Sequence, residues 1–260
     1  MRKIAVIVVL AATVLAGCEL FGGIEGSGYV VSTDFAFTDF TRVSADHGFK
    51  LTIVPDAEYS VTVMCDDNIV SYLDVLQRED GIEIGLKNWN SYYNVTLNAE
   101  VHMPAMSVLT LSGGSGARVQ TGFVSTSDLD VVASGGSTAE ISGLTCGRFH
   151  VDGSGGSVLT VSALEASSLE GILSGGSDLT AAGVTGAESV NASGGSQAHL
   201  LGMAATGATM VLSGGSEAWV DVGGGMITLT ASGGSMLYYT GAPTFTIVEL
   251  SGGSGIESAN

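Results

Sequence analysis

From residue 107 to the end of the chain, apolar and polar positions alternate, and the alternation restarts at a nearly fixed interval. Each restart is marked by Ser-Gly-Gly-Ser, beginning at Ser112, Ser134, Ser154, Ser174, Ser193, Ser213, Ser232 and Ser251, in steps of 22, 20, 20, 19, 20, 19 and 19 residues. Three positions before the first Ser stand Leu109, Val131, Val151, Gly171, Val190, Met210, Leu229 and Val248. Five positions after it stand Ala117, Ala139, Leu159, Leu179, Ala198, Ala218, Leu237 and Ile256. The columns one before and seven after are nearly as apolar, and the intervening ones mix Thr, Asp, Glu, His, Asn and Gln. Period two is the mark of a β-strand with one buried face. A repeat near 20 residues is the mark of stacked structural units.

Carried straight through the marker, the alternation places its first Gly and last Ser inside and its first Ser outside, at a corner of the chain. A third segment, opened in several copies by Gly143, Gly183, Gly202 or Gly241, completes each coil. The prediction is an all-β parallel β-helix of about 20 residues and three short strands per coil. Right-handed is the expected hand, from the general preference carried by strand twist. One coil buries roughly four or five apolar side chains, many of them only Ala. At ~1.5–3 kcal/mol for a large aliphatic side chain, that does not offset ordering each residue at ~1–2 kcal/mol. A stack shares its core and hydrogen bonds, so coils are stable only together. Eight coils at ~4.8 Å make a rod roughly 40 Å long. A flexible Gly/Ser linker is the alternative; the apolar columns between copies argue against it.

Residues 1–18 read as a lipoprotein signal peptide. Arg2 and Lys3 are followed by an apolar run from Ile4 to Leu15, too short to span a bilayer, and then by Leu15-Ala16-Gly17-Cys18. That tetrapeptide resembles a bacterial lipobox at all four positions, which implies cleavage before Cys18 and lipid on its thiol and new amino group. A secretory signal with a chance Cys is the alternative. Glu19 after the Cys points toward the outer membrane, and residues 19–27 form a Gly-containing tether. The expected location is the bacterial cell envelope, with the membrane a partner through the N-terminal lipid.

Without the signal the chain holds six basic and 26 acidic residues, a formal net charge of −20. From Val119 onward there are twelve acids and one base, Arg148. This excludes nucleic acid as a partner, and lipid rather than charge would hold the protein to a membrane. Cys65 and Cys146 follow no spacing rule and are read as buried free thiols, although the compartment permits a bond.

Residues 28–106 lack the repeat and read as a β-rich part that starts and caps the helix, before the regular repeats of residues 107–260. Residues 49–54 and 59–64 alternate around Pro55-Asp56-Ala57-Glu58 and predict a hairpin. Residues 68–79 predict a short helix with Ile69, Tyr72, Leu73 and Leu76 on one face. Residues 81–86 and 95–103 predict strands.

The order of signals along the chain resembles the head GIN domain family, described as autotransporter adhesins. The resemblance rests on Gly26-Ser27-Gly28, on Phe37, Phe40 and Val43, and on Gly48-Phe49-Lys50-Leu51-Thr52-Ile53. It continues through Val61-Thr62-Val63, Asp67-Asn68, Asp80-Gly81-Ile82-Glu83-Ile84, and Val101-His102-Met103-Pro104 leading into Leu109-Thr110-Leu111-Ser112-Gly113. It covers roughly residues 27–257 and implies a right-handed parallel β-helix on a bacterial surface.

The candidate binding residues come from the repeat register. The outward column six after the first Ser reads Arg118, Glu140, Thr160, Thr180, His199, Trp219, Tyr238 and Glu257, which stacks three rings on three coils. Beside Gln197, Glu217 and Asp221, such rings suit a glycan; the alternative is an aromatic ladder that only stabilises the strands. The loop at residues 88–94, with Trp89, Tyr92 and Tyr93, is a second candidate; its alternative is packing over the helix end. A glycan or surface protein is the expected ligand. A structural envelope lipoprotein without an external ligand is the runner-up.

Other classes fit less well. Calcium β-rolls need Asp at a fixed place, and only Asp178 follows a marker; His47, His102, His150 and His199 show no ligand spacing, so no metal site or cofactor is read from the sequence, and calcium on scattered carboxylates is the alternative left open. A polysaccharide lyase or hydrolase would need clustered acids or bases in a cleft, and coils this short leave no long loops, so no enzyme is expected. An ice-binding face would need a regular Thr row, which Thr110, Val132, Asp152 and Ile172 do not make. The last coil lacks an obvious cap and is a candidate for self-association.

Overall fold

The structure, a computed structural model, describes residues 23–87 and 90–259. It is a β-solenoid of parallel coils. The repeat registers set the period: Thr138 pairs with Val158, Val158 with Asp178 and Asp178 with Gln197. Sixteen-residue strands such as Thr138–Gly153 and Val158–Leu173 run around three faces of the coil without interruption.

The first sheet is built from the strands that precede each marker. Arg42–Ala45 pairs with Val108–Leu111, then follow Leu129–Ala133 and the ends of the long strands, up to Gly207–Leu212, Met226–Ala231 and Thr244–Leu250. The second sheet is built from the strands after each marker, from Lys50–Pro55 and Gly116–Val119 to Gln197–Ala205, Glu217–Asp221, Met236–Thr240 and Gly255–Ser258. A short third sheet stacks residues 144–146, 164–166, 183–185 and 203–205. The apolar columns on either side of the marker fill the interior. They are buried in the first seven copies, apart from a half-buried Tyr239, and open only in the last, where Val248 and Leu250 are each 44% exposed.

The corner differs from the expected one. Both glycines of each marker are left-handed, with φ of 64° and 77° at Gly175 and Gly176, so two consecutive residues turn the chain and reset the alternation. The first Gly therefore faces solvent, not the interior, in every copy. A Cβ on Gly175 would lie 3.1 Å from the backbone nitrogen of Gly155 one coil below; on Gly176 it would meet nothing within 4 Å. The last Ser is inside, as expected. In Ser177, Ser196, Ser216 and Ser235 its hydroxyl donates to the carbonyl three residues back at 2.7–2.8 Å. It also accepts across coils: Ser177 N–H donates to Ser196 Oγ, and Ser216 N–H to Ser235 Oγ, each at 3.2 Å. These buried hydroxyls satisfy backbone groups that a corner would otherwise leave unpaired.

One further coil lies below the first marker. Its corner is Asp46-His47-Gly48-Phe49, in register with Ser112-Gly113-Gly114-Ser115 through Ala45 opposite Leu111 and Lys50 opposite Gly116. His47 and Gly48 take the same left-handed angles, 56° and 81°. Gly48 N–H donates to Ser115 Oγ at 3.2 Å, which extends the serine ladder down by one step.

Two expectations for the N-terminal part are corrected here. Lys50–Pro55 and Ser60–Asp66 do not pair with each other, because Leu97–Met103 lies between them, parallel to the first and antiparallel to the second. Residues 68–79 are not a helix beyond the single 3₁₀ turn Val70–Tyr72. Leu73–Arg78 is a strand paired antiparallel with Gly81–Leu86, and the pairing overrides a helical pattern carried by few residues. These antiparallel strands, with Val30–Phe35 outside Ser60–Asp66, form the lower edges of the two sheets.

Candidate functional site

Parallel pairing in register puts identical repeat positions directly above one another, about 4.8 Å apart. In the second sheet Thr180 pairs with His199, His199 with Trp219 and Trp219 with Tyr238. All three rings are half-buried and stack; His199 and Trp219 lie between buried neighbours, and Tyr238 lies between buried Leu237 and half-buried Tyr239. His199 and Trp219 have centroids 4.3 Å apart and planes 14° apart; Trp219 and Tyr238 are 5.0 Å and 11° apart. The column expected from the repeat is therefore one continuous aromatic stack.

This geometry decides which surfaces a ligand reaches. Both faces of Trp219 are covered, one by His199 and one by Tyr238. The rings present edges along the rod, and only the two ends of the stack have a face that no other ring covers, His199 standing over Thr180 and Tyr238 under Glu257 in the register. The lower end opens on a shallow depression of about 540 Å³ lined by Thr180, Ala181, Ala182, His199, Leu201, Gly202 and Trp219. Small residues make up much of its lining, and the strand register shifts just beyond His199, between the Thr180–His199 and Ala182–Gly202 pairs. A neighbouring hollow of about 400 Å³ shares Leu201 and Gly202 and is bounded by Asp221 and Gly223. At the rim, His199 Nε2 lies 3.3 Å from Gln197 Oε1, and the Gln197 amide donates to Glu217 at 3.5 Å.

The second candidate lies elsewhere. Trp89 falls outside the described residues, as does Cys18. Tyr92–Tyr93 pairs in parallel with Ile24–Glu25 at the base of the rod. Tyr92 packs edge-on against Tyr72, centroids 5.9 Å apart, and its hydroxyl donates to Lys87 O at 3.0 Å. Tyr93 is more exposed, with its hydroxyl 3.4 Å from Glu25. The ladder belongs to the fifth, sixth and seventh copies of the repeat, so the structure does not join the two candidates into one site.

The other reactive groups are occupied or isolated. Cys65 and Cys146 are buried and unbonded, and burial with Asp128 nearby pushes the Cys146 thiol up to about 11. Arg148 is held by Asp128, Asp130 and Glu170 at 3.0–3.3 Å. His102 sits between Glu100 and Asp56, which raise its pKa. No group of three or more His, Cys, Asp or Glu among the described residues is arranged to hold a metal ion.

Three features escaped the sequence reading. The hydroxyl ladder needed the corner geometry. The lowest coil had lost its Ser and first Gly. Glu188 is the third: fully buried, with no hydrogen-bond partner for either carboxyl oxygen. Its signal was present in the register, where Leu169 and Ala208 stand opposite it. Burial, reinforced by Asp221, pushes its pKa up to about 8.

Comparison with known proteins adds the following. The family described as "Putative auto-transporter adhesin, head GIN domain" matches residues 39–243. The fold is similar to the crystal structure of a putative adhesin from Parabacteroides distasonis, with TM-score 0.83 and 18% identity over 90% of this chain and 99% of that one. It is similar to a putative adhesin from Parabacteroides merdae, with TM-score 0.82 and 14% identity over 91% and 99%. It is also similar to a putative lipid binding protein from Parabacteroides distasonis, with TM-score 0.81 and 14% identity over 91% and 99%. At these identities the likeness is one of fold. None of the curated proteins matches the chain.

Proposed function

We propose that this chain, which belongs to the head GIN domain family, is a lipid-anchored rod of the bacterial cell envelope that binds a neutral glycan beneath His199. The observation that carries the reading is the lower end of the His199–Trp219–Tyr238 stack, which no further ring covers and which borders a depression lined by Thr180, Ala182 and Gly202. A sugar ring stacks its apolar C–H face on the imidazole. Thr180 and Gln197, with Asp221 in the adjoining hollow, supply the few polar groups that orient a ligand in an otherwise apolar site. The strongly acidic surface repels anionic saccharides, which favours a neutral one. The lipobox at Leu15-Ala16-Gly17-Cys18 supports the anchor, and Glu19 supports the outer membrane. Among the described residues the coils from Leu129 to Leu212 join their faces by short corners, which supports binding rather than catalysis.

The stack itself favours a second reading, an envelope rod without a ligand, because stacking uses both faces of Trp219 to brace three coils. Retention on a glycan array by wild type, His199→Ala and Trp219→Ala, each with a thermal melt, separates the two. Binding that disappears in His199→Ala with the melt little changed supports the glycan site. Absence of retention by the wild type, with a lowered melt in Trp219→Ala, supports the bracing role.

A further inference from the structure

The base of the rod carries a second organised surface. Asp66, Asp67 and Asn68 gather the start of the described chain into a clamp. The buried Asp66 carboxylate accepts the N–H groups of Gly28 and Thr96 at 2.7 and 2.6 Å. Ser27 Oγ donates to Asp67 at 2.5 Å. Asn68 accepts Ser27 N–H at 3.1 Å and donates to Glu25 O at 2.7 Å. Gly26 fits only without a side chain, since a Cβ would lie 2.5 Å from Asn94 O. The described chain therefore begins at a fixed point on the rod, beside Tyr92–Tyr93.

Beside these polar groups the exit also exposes large apolar side chains. Tyr29 is 76% and Val30 52% exposed; Val31, on the opposite face of the same strand, Val70 and Tyr93 are exposed as well.

We infer that this patch lies against the lipid bilayer in which Cys18 is anchored, so that the rod stands on its base. The inference rests on the proposed lipidation of Cys18. Gly23 is five residues beyond Cys18, a span of at most about 18 Å. The exit point cannot move further than that from the membrane surface. Tyr rings suit the headgroup region, and the valines add apolar area that a short tether brings into contact at no further entropic cost. Glu25 and Asp67 border the patch, so zwitterionic headgroups fit it and anionic ones oppose it. In the second sheet eight strand steps separate Val30–Phe35 from His199, which lifts the aromatic stack about 38 Å above the base.

The test uses the full chain, lipidated by the expression host and reconstituted in phosphatidylcholine vesicles. A polarity-sensitive dye is attached through Tyr29→Cys or, near the far end, Met226→Cys. Cys65 and Cys146 are buried and stay unlabelled. The dye at position 29 should be shielded from aqueous iodide and quenched by headgroup-nitroxide lipid; the dye at 226 should behave oppositely. Vesicle-bound protein with both dyes equally open to iodide overturns the inference and leaves the anchor standing. A wild-type chain that floats with vesicles no better than Cys18→Ser overturns the anchor, and the inference with it.

Discussion

The imidazole of His199 lies 4.3 Å from the indole of Trp219 with the planes 14° apart, and this contact takes one face of each ring. Tyr238 takes the second face of Trp219. The two residues therefore have different work, although they occupy the same repeat position. Trp219 is a brace between coils, and His199 is the end of the stack where the proposed glycan would meet a ring.

Trp219→Ala should cost about 2–3 kcal/mol of stability, from two lost stacking contacts and the area they cover. His199→Ala should cost about 1 kcal/mol and abolish glycan retention. Denaturant melts of both variants, read beside retention, check the division.

The two glycines of one marker should not be equivalent. Gly175→Ala and Gly176→Ala each force a left-handed angle on a residue with a Cβ, at ~1–2 kcal/mol. Only Gly175→Ala also drives a methyl toward the Gly155 nitrogen at 3.1 Å. It should be the more destabilising by at least about 1 kcal/mol, checked by paired melts.

Ser196→Ala should cost about 1–3 kcal/mol, because it removes the acceptor for Ser177 N–H and the donor to Ser193 O inside the corner. Hydrogen exchange at the Ser177 amide should accelerate in step. An unchanged amide would mean that the ladder is geometric only.

Glu188 should make the protein less stable as pH rises. Its carboxyl titrates near 4.3 when unfolded and at about 8 when folded, so between those values the folded state binds a proton that the unfolded state does not. The stability is fully present below the lower value, is lost through the interval and is flat above the upper one. The loss reaches up to ~5 kcal/mol. Glu188→Gln should remove this slope, and Glu188→Leu, matching Leu169 beneath it, should raise stability at pH 8. His102 also has a raised pKa and contributes in the same direction, so the difference between wild type and Glu188→Gln is the quantity to measure.

The regular coils were legible because repetition averages over exceptions. Eight copies of one marker expose the apolar columns even where Gly171 or Ala198 stands in them, and in-register stacking then places His199, Trp219 and Tyr238 together. The lowest coil was illegible for the converse reason. Asp46-His47-Gly48-Phe49 keeps the turn but shares only the second Gly with the marker. The corner parity was misread because alternation assumes extended backbone, and two left-handed glycines interrupt it. The supposed hairpin at residues 49–64 failed because Leu97–Met103, more than 30 residues further on, enters between its strands. Local patterns carry no information about such an insertion. The site was visible as a column of rings, but which face remained free depended on ring planes that only the structure supplies.

The proposed adhesin role requires the aromatic stack to stand outside the cell, and protease shaving tests that directly. Cells carrying the protein with an epitope tag after Asn260 are treated intact, with lysed cells as the control. The coils themselves resist cleavage, so the tag is the signal. Loss of the tag from intact cells is the predicted result and places the far end of the rod outside. Protection of the tag until lysis contradicts the account and leaves an envelope scaffold facing the periplasm.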